Sequence, residues 1–240
     1  MSFDLGSELL NYIAEHGSPP GRRLPPIDEL ASVLGVSTSK LREQLEVART
    51  LGLVEVRPKT GIRTLDFSFL PCLRTSLKFA LAVAPERFEN FGVLRNHLEV
   101  GFWHEAVREL RHEDKIHLKN LVDRAWEQLR GTPVQIPHSE HRELHMTIFS
   151  RLNNPFVCSL LEAYWEAYEI VGLNVYTDYS YLEAAWRYHE KMVESVLNND
   201  YDAGYQALVE HIGILQDRPE MDRFRPEGVR EIGAPQVDEV

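Results

Sequence analysis

Two cysteines in 240 residues, Cys72 and Cys158, are too few and too far apart for a disulfide framework or a cysteine metal pattern. Long apolar runs are missing as well. The longest candidate, FALAVAP, stops at Pro85, far short of the roughly 20 residues needed to cross a bilayer. The opening MSFDLGSELL has neither the basic start nor the apolar stretch of a secretory signal. A cytoplasmic chain with no membrane partner is therefore expected. No internal repeat is evident, and cations are in deficit, with a formal net charge of −11 that taken whole speaks against nucleic acid. What is present, 43% hydrophobic and 26% charged residues, is the balance of a folded globular protein large enough for one big domain or two modest ones.

The deficit of cations is not evenly spread. From Gly21 to Arg63 eight basic residues stand against five acidic ones, whereas the chain after Arg63 holds 18 basic and 29 acidic residues. The front segment also has a telling order of elements. Leu5, Leu9, Tyr12, Ile13 and His16 share a helical face that ends before Gly17. Ile27, Leu30, Ala31 and Leu34 make a second short helix stopped by Gly35. Ser37 then caps a third, whose buried stripe is Leu41, Leu45, Ala48 and Leu51, closed by Gly52. Two helices joined by a tight turn form a helix-turn-helix. LVEV and IRTL follow as a hairpin with the basic tip RPKTG, which completes a winged helix. Lys40, Arg42 and Arg49 fall outside the buried stripe, and Arg57 and Lys59 lie at the wing, as phosphate and base contacts require.

GRRLPPIDELASVLGVSTSKLREQLEVARTLGLVEVRPKTG resembles the winged-helix head of GntR-family transcription regulators through LP, ELA, LGVS, LRE, GLVEVRP and the wing glycine, Gly61. The resemblance implies a homodimer whose two heads bind a double-stranded operator with two-fold symmetry. DNA contacts are expected from Ser37, Thr38, Lys40, Arg42, Arg49, Arg57, Lys59 and Gly61. Asp28 and Thr38 stand where the family usually carries arginines that read DNA, so only Arg42 of that trio is kept. An operator unlike the usual one follows.

From Cys72 onward the pattern is helical, in segments of about 72 to 83, 86 to 111, 113 to 129, 138 to 152, 155 to 171, 182 to 198 and 202 to 217. The fold class is mainly α: a winged helix-turn-helix over 1–66, a linker over 67–71, an all-α bundle of about six or seven helices over 72–217, and a polar tail over 218–240. Within the bundle, His141 and His145 are four apart and share a helix face. His138 begins that helix and reads as exposed. His189 and His211 each lie eleven residues from Asp200 at the connection of the last two helices, roughly 16 Å along each helix, so they face each other at one height. A single histidine on an apolar stripe is ordinarily a hydrogen-bonded core residue. Four that converge carry a desolvation cost that a bound cation would offset.

The segments FGVLRNHLEVGFWHEAV, HRELHMTIFSRLNNP and YHEKMVESVLNNDYDAGYQALVEHI resemble the ligand-sensing FCD domain of the FadR-type branch of the same family. There an Asp, a His four residues later and two His on the final helices hold a divalent metal, and a small organic acid completes its coordination. The resemblance maps this set onto His141, His145, His189 and His211, with His141 in place of the usual Asp. Four neutral imidazoles would leave a dication its full charge and so favour a carboxylate effector. Arg95 would be its second anchor, or else the salt-bridge partner of Glu99, with Tyr164, Tyr168 and Asn174 lining the cavity. Zinc is the default metal; nickel, copper, iron or manganese are alternatives. The function expected is a repressor-like regulator controlled by metal and effector, and not an enzyme. The competing readings are a metal-free sensor of a larger apolar effector, such as an acyl thioester, and a His-ligated metalloenzyme.

Overall fold

Several helices in this chain start at side chains that satisfy otherwise unpaired backbone amides. A computed structural model describes residues 4–16, 19–171 and 178–216. In it Ser7 caps α1 (Glu8–Glu15) by accepting from the Leu10 amide, and Ser37 caps α3 (Thr38–Thr50) by accepting from the Lys40 amide. Gly35, in the left-handed conformation at φ 67°, ends α2 (Ile27–Leu34) and turns the chain into α3. The α1 helix is shorter than its periodicity suggests. Leu5 precedes it and is 48% exposed, and His16 follows it, also exposed, so only Leu9, Tyr12 and Ile13 of that stripe reach the core.

The hairpin β1 (Val54–Arg57) and β2 (Gly61–Thr64) pairs antiparallel with Val54 opposite Thr64 and Arg57 opposite Gly61. A third segment lies along β2, through a bridge between Arg23 and Arg63 and the bond from the Leu24 amide to the Ile62 carbonyl at 2.9 Å. Leu9, Leu30, Leu41, Leu45, Ala48, Val54 and Ile62 close one core. The alternation of β2 puts Ile62 and Thr64 inward while Arg63 remains half-exposed, as a half-buried strand dictates.

Seven further helices follow among the described residues: α4 (Leu70–Val83), α5 (Arg87–Glu109), α6 (His112–Arg130), α7 (His138–Ile148), α8 (Pro155–Ile170), α9 (Tyr179–Leu197) and α10 (Tyr201–Gln216). The chain divides into two compact units, Met1–Ser76 and Leu77–Val240. The α4 helix begins at Leu70, within the stretch read as linker. The α7 helix is shorter than its periodicity suggests, ending at Ile148; Asn154 then starts α8 by accepting from the amides of Phe156 and Val157, with Pro155 at the first helical position. The second unit buries one large cluster, with Trp103, Leu118, Leu121, Leu144, Trp186 and Met192 at its centre, and a smaller aromatic one around Phe88, Tyr164 and Trp165. No helix among the described residues is long and apolar enough to cross a membrane.

Candidate functional site

The α9 and α10 helices form the hairpin that sets His189 against His211. The connection spans 198–200, with Asn199 at a positive φ of 59°, and the two rings meet with centroids 4.3 Å apart. The α7 helix then lays His141 and His145 over them one turn apart, with His141 4.8 Å and His145 5.1 Å from the His189 centroid. One ligand nitrogen from each of the four can be chosen so that all lie within 4.8 Å of one another. His145, His189 and His211 are at most 1% exposed, and His141 is half-buried. Both ring nitrogens of His211, and Nδ1 of His189, are buried without a hydrogen-bond partner. Nε2 of His145 lies 3.1 Å from Nε2 of His189.

The electrostatics favour uncharged rings. Burial first, and then the Arg95 guanidinium, hold the His145 imidazole well below the ordinary histidine range. Burial first, followed by the neighbouring imidazoles and Arg95, does the same for His189. His211 is also lowered, by burial, then by His145 and Arg95, with Glu99 partly offsetting them. Neutral imidazole is the form that offers a lone pair to a cation. Three such donors with His141 beside them suit a first-row divalent ion, and the orphaned nitrogens of His211 fit a ligand's role better than a core residue's.

The α5 helix contributes Arg95 and Glu99, 2% and 0% exposed. Arg95 Nε approaches Glu99 Oε1 at 2.9 Å, the salt-bridge arrangement of the two weighed from sequence. Its Nη2 also meets Nδ1 of His145 at 2.9 Å, and its guanidinium lies 5.2 Å from the Tyr164 ring centroid and 5.6 Å from that of Trp165. Arg95 therefore reaches the histidine cluster directly. Burial pushes the carboxyl of Glu99 up to about 7, against the pull of Arg95 and His211. Tyr164 and Tyr168 are buried, with Tyr168 6.3 Å from His141. Asn174 lies outside the described residues.

Sequence reasoning missed three walls of this site. Glu99 entered only as a helix partner of Arg95. Trp165 and Trp186, 4.7 and 6.3 Å from the His141 ring, sit on apolar helix faces that sequence alone does not separate from ordinary core. His138 also departs from expectation: it is half-buried, because the first turn of α7 lines a cleft with Tyr168, Tyr181 and Trp186 that reaches His141 and His189.

In the winged helix, Arg42 is exposed on α3 and takes part in no ion pair among the described residues. Lys40 is exposed but pairs with Glu8 of α1 at 2.5 Å, and Arg49 pairs with Glu46 at 2.5 Å. Arg57 reaches back to Glu55 at 2.8 Å, while Lys59 stands exposed at the tip. Ser37 is occupied as a cap, and Thr38 is half-buried at the start of α3. Gly61 adopts a φ of +74°, which a side chain would strain, with Arg23 beside it.

Residues 4–63 match the model of bacterial regulatory proteins of the gntR family, and residues 92–213 match that of the FCD domain. The chain is 24% identical over 220 residues to the Uxu operon transcriptional regulator of Escherichia coli strain K12, covering 90% of this chain and 85% of that protein. It is 23% identical to the uncharacterized HTH-type transcriptional regulator YcbG of Bacillus subtilis strain 168, covering 82% of this chain and 81% of that one. Among solved structures, Streptococcus agalactiae GntR superposes with a TM-score of 0.62 at 22% identity, covering 87% of this chain and 95% of its own, and so shares the fold. Those families and relatives are regulators and not enzymes, which removes the metalloenzyme alternative. With a winged helix in front and a helical domain of matching type behind, the chain belongs to the GntR family as a DNA-binding transcriptional regulator with an FCD domain.

Proposed function

We propose that the protein is a metal-dependent sensor of a small carboxylate, which represses transcription as a cytoplasmic homodimer on an operator with two-fold symmetry. Residues 1–66 form the DNA-binding domain and 72–217 the sensing domain in this reading, joined over 67–71 and followed by a tail over 218–240. The observation that carries it is His211, fully buried with neither ring nitrogen paired and three other imidazoles around it. His141, His145, His189 and His211 would hold the ion, zinc by default, with nickel, iron or manganese as alternatives. A bound dication supplies a positive acceptor for a carboxylate oxygen that four neutral ligands do not cancel.

The chain's own groups then define the effector. Arg95 offers a guanidinium fork to the second carboxylate oxygen, with Tyr164 and Tyr168 shaping the cavity and Asn174 assigned to it from the sequence alone. The cleft lined by His138, Tyr168, Tyr181 and Trp186 is the route by which a small acid reaches His141 and His189. On DNA, Ser37, Thr38, Lys40, Arg42 and Arg49 serve α3, and Arg57, Lys59 and Gly61 serve the wing. Similarity to a regulator of the Uxu operon supports control of an operon as the mode of action.

Elemental analysis of the purified chain tests the reading, with one zinc per chain expected. Mass spectrometry of the denatured supernatant should then show a co-purified acid. Stripping the metal with a chelator should abolish binding of that acid. Full effector affinity in the stripped protein would instead establish the metal-free sensor of a larger apolar ligand.

A further inference from the structure

Glu99 is wholly buried among the imidazoles, and no ligand role falls to it. A carboxylate in such a place is costly unless its neighbours use it. Two neighbours lie within reach: Arg95 Nε stands at 2.9 Å from Oε1 and Nδ1 of His145 at 3.1 Å from the same oxygen, ion-pair distances at which neither Glu99 oxygen yet has an aligned hydrogen bond. A neutral imidazole carries one N–H, on one nitrogen or the other. Nδ1 of His145 therefore has two competing neighbours. The Arg95 Nη2 at 2.9 Å can only donate to it, and the ionised carboxylate of Glu99 can only accept from it.

The choice decides what the other nitrogen can do. If Arg95 donates to Nδ1, the ring proton sits on Nε2, which faces Nε2 of His189 at 3.1 Å and is then closed to a cation. If Nδ1 donates to Glu99, Nε2 keeps its lone pair, turned toward His189. We propose that Glu99 is the positioning carboxylate of this centre. It selects the Nδ1–H tautomer of His145, presents Nε2 to the cation, and neutralises the Arg95 charge that would repel one. This rests on the metal-sensing reading above. A second consequence concerns Arg95. Once Nδ1 bears the proton and Nε2, 3.3 Å from the same Arg95 Nη2, is given to the cation, that donor needs another acceptor, and an effector carboxylate supplies one. Metal and anion binding are thereby linked through one side chain.

The test compares the full-length parent with Glu99→Gln and Glu99→Ala, using zinc alone as the probe in competition with a chromophoric chelator. Loss of an outer partner of a metal-bound histidine weakens metal binding about 10- to 100-fold. The alanine variant is expected toward the upper end, and the glutamine variant, which keeps an acceptor oxygen but no charge, between it and the parent. The cobalt(II)-loaded absorption spectrum should also change, whereas a merely structural role would leave it as in the parent. Melting in excess chelator checks that each variant folds; should the alanine variant not fold, the nearly isosteric glutamine variant decides alone. A folded variant with zinc affinity within about threefold of the parent and an unchanged cobalt spectrum would overturn the assignment. A parent that takes up no zinc at all defeats the metal reading itself, a different and distinguishable result.

Discussion

His211 illustrates a conflict that single residues in this protein carry. Its ring is 0% exposed with both nitrogens unpartnered, an arrangement that costs about 1 to 3 kcal/mol per orphaned polar group in the absence of a ligand. Replacing it by Leu should raise the stability of the chelator-treated protein by about 1 kcal/mol or more in urea unfolding while abolishing zinc uptake. A loss of stability without metal would show that the ring has a packing role instead. Arg42 makes the complementary case on the DNA side. Lys40 and Arg49 must each leave an acidic partner to reach a phosphate, whereas Arg42 is exposed and has no ion-pair partner among the described residues. Arg42→Ala should weaken operator binding by about 1 to 3 kcal/mol if it reads a base, or lower the salt slope by about one unit if it meets a phosphate. Fluorescence anisotropy across a salt series separates the two. That Arg42 stands apart was visible in LRE; that Lys40 is engaged by Glu8, 32 residues earlier, was not, because only packing of α1 on α3 brings them together.

Helices of the second unit differ in how tightly they meet, and two glycines measure it. Gly204 in α10 faces Trp103 of α5 so closely that an added Cβ would come within 2.6 Å of the indole Cζ2 and 3.3 Å of Ser195. Gly101, on the exposed side of α5, would meet nothing within 4 Å. Alanine is worth about 1 kcal/mol over glycine inside a helix, so Gly101→Ala should stabilise by up to that amount. Gly204→Ala gains the same propensity but overpacks the core, and should be net destabilising by about 1 to 2 kcal/mol. Thermal melts of the pair, in opposite directions, check the packing. The start of α6 gives a pH signature. Asp114 accepts from the Arg111 amide at 2.9 Å and from Nε and Nη2 of Arg151, each at 2.9 Å, which holds its carboxyl below the ordinary value, Arg151 contributing most. Because the folded state binds the proton less readily than the unfolded one, this contribution is present above the ordinary carboxylate pKa and fades as pH falls through the folded value. Asp114→Asn should therefore lose less stability than the parent between about pH 5 and pH 2 in denaturant titrations.

Two compact units and a divided charge organise the whole molecule. A ligand that binds one folded unit stabilises that unit by mass action, about 4 kcal/mol at a thousandfold excess over its dissociation constant. Calorimetry with and without chelator should accordingly move the transition of the Leu77–Val240 unit and leave that of the Met1–Ser76 unit in place. Arg42→Ala should retain full zinc content for the same reason. Much of this organisation was legible early. Net charge changed sign along the chain, and the glycines and serines at 35, 37 and 52 punctuated the front helices. The symmetric spacing of His189 and His211 about Asp200 announced their meeting, because an antiparallel hairpin preserves height. Glu99 was not legible. Four residues after Arg95, it has the spacing of an ordinary surface pair, and nothing local reveals that the face of α5 bearing both is sealed under α7, α8 and α10.

The linear chain determined what depends on near neighbours: the helical periods, the caps, the wing, and the i,i+4 pairing of His141 with His145. Periodicity and capping are short-range physics, carried by a few residues at a time. Only the tertiary structure decided which charges lost their water, which imidazole nitrogens were orphaned, and which acid came to lie beside which ring. Desolvation depends on everything packed around a group, and segments far apart in sequence supply that packing.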